Sequence, residues 1–131
     1  MTSAADTNVV VRLITRDDPR QFAKLLPLLA GGGLVLLPTV ILETEWILRS
    51  VFAYSRKQID QAFSALLAMD LVAVVDENVV VRALLNYRDG MDFADALHLA
   101  SAQHCDEFVT FDRNMARRAA AAPTPPAVRL L

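Results

Sequence analysis

The chain has 131 residues and 54% of them are apolar, enough for one domain with a real core, since a domain of this size buries roughly two thirds of its unfolded surface. Its net charge of −2 excludes nucleic-acid binding driven by bulk charge alone. The single cysteine, Cys105, excludes an internal disulfide and a thiolate metal cage, and is best read as a small helix-end residue.

A first strand is expected just before Asp6, and the run Val9 to Ile14 then begins a buried helix. The turn at Asp17, Asp18 and Pro19 opens a helix through Leu29, which the glycines close. Leu25 to Leu42 carries no charge and has the length of a membrane span, but Pro27, Gly31, Gly32, Gly33 and Pro38 break it. It reads as helix end, turn, a buried second strand at Leu34 to Leu37, and a new helix. Pro38 and Thr39 open that helix, with Ile41, Trp46, Ile47 and Leu48 apolar and Trp46 assigned to core or interface. Ser55 caps the next helix, whose apolar positions Ile59, Ala62, Phe63, Leu66 and Leu67 follow helical spacing.

Leu71 to Val75 forms a third strand, Asp76 to Tyr87 a helix, and Phe93 to His104 an alanine-rich helix. His98 on that helix is read as a packed core residue, and His104 as complementing its negative end. Phe108 to Phe111 is the fourth strand, followed by a short basic helix from Arg113, a proline-rich connector at Pro123 to Pro126, and a short last strand at Val128 to Leu131. This alternation predicts the α/β class, with a mainly parallel sheet of four or five strands in a single domain spanning 1–131. The start of the chain lacks a basic region followed by an apolar run, so a cytoplasmic location is expected.

In open parallel sheets the ligand crevice lies beyond the carboxyl ends of the strands. Asp6 after the first strand, Glu43 in the helix after the second, Asp95 in the first turn of its helix and Asp112 after the fourth strand meet that test. Taken singly, Asp6 suits a side-chain turn, Glu43 a helix dipole, and Asp92 and Asp112 helix caps. Together they would repel one another unless cations neutralised them, and an all-oxygen set favours Mg²⁺ or Mn²⁺ over zinc. Glu45 points to another side of its helix and is the poorer ligand candidate. Lysine occurs only at Lys24 and Lys57; Arg12, Arg16, Arg49, Arg113 and Arg117 are the candidates for meeting phosphates, beside a reading as solvated surface charge.

The segments ADTNVVVRLI, VILETEWILRS, DFADALHLA and FVTFDRN, in that order, resemble the PIN domain family, and within it the VapC toxins of bacterial toxin-antitoxin pairs. The resemblance covers nearly the whole chain. It implies a three-layer α/β/α fold and carries the family's acidic site onto Asp6, Glu43, Asp95 and Asp112. It further implies Mg²⁺- or Mn²⁺-dependent endonucleolytic cleavage of RNA, a homodimer, and a cognate antitoxin, with no membrane partner. The apolar excess fits such protein partners. Asn8 and Thr110 match supporting positions, and Asn114 stands where many members carry another Asp, which weakens one ligand. Two other readings are an RNA-processing nuclease outside a toxin-antitoxin pair and a weakly active binding or regulatory module. A phosphotransfer domain using Asp6 as nucleophile lacks the aspartate it would need at Asn8.

Overall fold

A computed structural model describes residues 2–121 and 124–131; Pro123, the start of the expected connector, lies outside them. The chain divides into two compact units, Met1–Glu77 and Asn78–Leu131.

The first unit runs β1 (Ser3–Ala4), α1 (Thr7–Thr15), α2 (Pro19–Ala30), β2 (Leu34–Leu36), α3 (Pro38–Ser50), α4 (Arg56–Ala68) and β3 (Val72–Val74). Its strands pair in the order β1-β2-β3, both pairings parallel, with Ser3 opposite Leu34 and Leu34 opposite Val72. Asp18 caps α2 by accepting the backbone N–H groups of Arg20 and Gln21, with Pro19 at the first helical position. Ser55 and Gln58 form a reciprocal capping box at the start of α4. Ile59, Phe63 and Leu66 are the buried stripe of that helix, as their spacing predicts. As expected, α2 runs past Pro27 to the glycines. Both Pro27 and Ala23, whose carbonyl loses its helical donor, are exposed, so water can satisfy that group. Gly33 has a φ of 85°, and a Cβ there would run into the Leu71 carbonyl, which holds the Leu34 N–H at 2.8 Å. Only glycine permits this entry into β2.

From its second residue onward α5 (Glu77–Arg88) belongs to the second unit, which continues with α6 (Phe93–Ser101), β4 (Glu107–Thr110), α7 (Arg113–Ala121) and β5 (Ala127–Leu130). Strands β4 and β5 pair in parallel, Glu107 opposite Ala127, with α7 as the connection and packed on both. Tyr87 and Phe93 meet edge to face at 5.3 Å between ring centres, fixing the turn from α5 into α6. The helix α6 stops at Ser101, three residues before His104. The Ala102 N–H is shared between the carbonyls of His98 and Leu99, four and three residues back, and the Gln103 N–H reaches only Ala100, three back, a tightening that ends the helix. His104 and Cys105 therefore lie in the exposed turn that follows.

The α/β class with parallel strands is what the sequence predicts; among the described residues five strands are shared between a three-stranded and a two-stranded sheet. No helix among the described residues is long and apolar enough to cross a membrane.

Candidate active site

Two of the predicted carboxylates lie in the first unit. Asp6 follows β1 and caps α1, its Oδ1 accepting the Thr7 N–H at 2.8 Å. The neighbouring strand β2 runs parallel and hands the chain directly to α3, so Asp6 and the start of α3 share the carboxyl edge of the sheet. Along α3 the buried positions are Ile41, Thr44, Glu45 and Leu48, a helical stripe that excludes Glu43. Glu43 is exposed and makes no hydrogen bond or ion pair among the described residues. Glu45 is only 3% exposed and pairs with Arg49 at 3.0 Å, one turn on. The structure thus separates a solvent-facing carboxylate from a buried structural one, as the sequence spacing predicts. Thr7 is buried, while Asn8 is exposed and lines a cleft between α1 and α2 with Arg12, Gln21 and Lys24.

The other two carboxylates lie in the second unit. Asp92 caps α6 by accepting the Asp95 N–H at 3.2 Å. Partial burial, then the negative charges of Asp92 and Asp112, raise the Asp95 pKa above the ordinary aspartate value; His98 opposes them. The Asp112 charge therefore reaches Asp95. Asp112 caps α7, its Oδ1 accepting the N–H groups of Asn114 at 2.9 Å and Met115 at 3.1 Å. Its own N–H donates to Thr110 Oγ1 at 2.9 Å, which ties the end of β4 to the cap of α7. Asn114 Oδ1 accepts from Arg117 at 2.6 Å.

His98 is exposed rather than packed in the core, a correction of the sequence expectation. The apolar face of α6 buries Phe93, Ala96, Leu97 and Ala100, and His98 projects away from it, one turn beyond Asp95. The alanine content marked a buried helix but not which face each position takes.

Most of the candidate arginines are already engaged. Arg12 bonds Gln21 and Asp17, tying α1 to the start of α2. Arg16 ends α1 in the left-handed conformation and lies over the Phe22 ring at 4.7 Å. Arg49 pairs with Glu45 and Arg117 with Asn114. Arg113, exposed at the start of α7, makes no side-chain bond among the described residues.

Among the described residues, no group of three or more His, Cys, Asp and Glu side chains stands ready to hold a metal ion. The donor chemistry of the Asp95–Asp112 pair nevertheless fits a hard divalent cation. Both donors are carboxylates, and their mutual repulsion is what a Mg²⁺ or Mn²⁺ ion would relieve.

A search of the curated proteins finds no match. The family model of the PIN domain matches residues 4–121, a span that runs across both compact units and includes all four predicted carboxylates. With most of its length matched, this chain belongs to the PIN domain family, whose fold is that of metal-dependent nucleases.

Proposed function

We propose that the protein is a Mg²⁺- or Mn²⁺-dependent endoribonuclease, the toxin of a type II toxin-antitoxin pair of the VapC kind, with its two units forming one cytoplasmic nuclease domain. Asp6, Glu43, Asp95 and Asp112 act together as the metal-holding and catalytic set. The observation that carries this reading is the coupled pair Asp95 and Asp112, with Asp112 held from behind by Thr110 and the α7 backbone. Burial and then the charges of Asp92 and Asp112 disfavour the ionised Asp95 unless a cation offsets them.

A bound divalent ion supplies a lowered pKa for a water nucleophile and charge for the leaving oxygen. The chain's own residues do the rest. One oxygen of Asp112 is held by the α7 N–H groups, and the other makes no hydrogen bond among the described residues. Asp92 fixes the first turn of α6 and so the direction of Asp95. Glu43, exposed on α3, is the fourth carboxylate of the proposed set, and Arg113, exposed at the start of α7, is the candidate to meet a substrate phosphate.

Exposed apolar side chains support the protein partners of this reading. Trp46 is 56% exposed, Val51 66% and Phe111 81%, surfaces suited to a second copy or to an antitoxin. The direct test is RNA cleavage by partner-free protein with and without divalent metal.

A further inference from the structure

A cavity of about 290 Å³ in the second unit is lined by Asn86, Asp89, Met91, Arg118 and Ala121. The fold leaves its polar groups unused. Asn86 is only 6% exposed, yet its side-chain amide makes no hydrogen bond among the described residues. No side-chain nitrogen or oxygen sealed from solvent lacks a partner among the described residues, so the unbonded Asn86 amide is open to solvent and can meet a ligand that enters the cavity. The Asp89 carboxylate and the Arg118 guanidinium likewise form neither a hydrogen bond nor an ion pair among those residues.

The cavity is also shaped by the backbone. Gly90 has a φ of 106°, and a guanidinium nitrogen of Arg118 lies 2.6 Å from where a Cβ would stand. A side chain at this position would displace the arginine from the turn. The same loop leads into Asp92 and α6, and Arg118 stands on α7, so both walls belong to elements that carry candidate metal ligands.

We propose that this cavity is a base pocket that takes a guanine of single-stranded RNA. Guanine offers paired donors, N1–H and N2–H, beside paired acceptors, O6 and N7. A carboxylate accepts the first pair and an arginine fork donates to the second. The Asn86 amide adds one donor and one acceptor, and Met91 and Ala121 give the flat ring apolar contact. Adenine places a donor where the arginine needs an acceptor. Uracil offers one donor to the carboxylate, and cytosine fills the arginine fork less well. The inference deepens the nuclease reading and rests on it for the identity of the ligand as RNA.

The test measures binding of guanosine, adenosine, cytidine and uridine 5′-monophosphates to the full chain, in chelator, by NMR shifts of the Asn86 side-chain amide. Guanosine monophosphate is expected to bind about tenfold or more tighter than the adenosine nucleotide. Asp89→Asn and Arg118→Ala, both at exposed positions, are each expected to erase that preference while leaving the melting temperature unchanged. Equal binding of the four nucleotides, or a preference that survives Asp89→Asn, overturns the proposal. Because the assay needs no metal and no cleavage, the two readings separate. A protein that cuts RNA but binds the nucleotides alike keeps the nuclease and loses the pocket, and one that selects guanine but cuts nothing does the reverse.

Discussion

Thr110 and Asp112 are linked by a hydrogen bond in which the Thr110 hydroxyl oxygen accepts the Asp112 N–H at 2.9 Å. With the α7 N–H groups on its Oδ1, the Asp112 side chain is held at both its backbone and its carboxylate. Thr110→Val keeps the shape and removes the acceptor. Cleavage or metal affinity is expected to fall about ten- to hundredfold, with Thr110→Ser restoring most of it. Metal titration of the cleavage rate for the three proteins checks this.

Acidification should remove metal-dependent activity earlier than an ordinary aspartate would. Burial and then the charges of Asp92 and Asp112 raise the Asp95 pKa, so protons compete with metal at a higher pH. The sign for stability is the opposite of a salt-bridged carboxylate: the ionised Asp95 costs stability, and that cost vanishes as pH falls through its raised value. Asp92→Asn keeps a good helix cap and removes one negative neighbour. Its acid limb in a pH–rate profile is expected to move to lower pH.

Glu107 and Arg129 join β4 to β5 through contacts of 2.7 and 2.9 Å. The hydrogen bond from Arg129 lowers the Glu107 pKa. A lowered folded value means the pair contributes above the unfolded carboxylate's pKa and is lost as pH falls through the folded one. Both groups are fully exposed, so the effect should be local and weakened by salt. Amide hydrogen exchange is expected to quicken in β5 on acidification or in Glu107→Gln, with the rest of the chain unaffected.

The two glutamates of α3 should part company under mutation. Glu43→Gln is expected to abolish cleavage at an unchanged melting temperature, because its side chain is exposed. Glu45→Ala removes the buried carboxylate from a pair whose arginine is half exposed and should cost about 1 kcal/mol of stability, seen in thermal or urea unfolding.

Asn114→Asp would add a carboxylate beside Asp112 while keeping an acceptor for Arg117. Without metal the added repulsion should lower the melting temperature. With Mn²⁺ the variant should bind metal more tightly than the parent and cut at lower metal concentration. Melting curves across a Mn²⁺ titration check both arms.

Much of this was legible in the sequence because it rests on local signals. The caps at Ser55 and Asp92, the turn that opens α2 and the stripe Ile59, Phe63 and Leu66 follow from local pattern alone. The same spacing separates Glu43 from Glu45 on α3. What failed depended on context a linear pattern lacks. The end of α6 at Ser101 follows from tightened carbonyl bonds rather than a glycine or proline, and the exposed face taken by His98 depends on what α6 packs against. The engagement of Arg12 and Arg16 depends on how α1 meets the start of α2. Asn86, Asp89 and Arg118 are spread over α5, its following loop and α7, and only folding brings them to one cavity.

The measurement that bears most directly on the account is cleavage of total cellular RNA by purified, partner-free protein, with Mg²⁺ or Mn²⁺ against chelator, beside Asp6→Asn. The account predicts discrete fragments that require metal and vanish in Asp6→Asn, with both proteins melting alike. Fragments that persist in chelator or in Asp6→Asn, or a well-folded parent that cuts nothing with either metal, would contradict it.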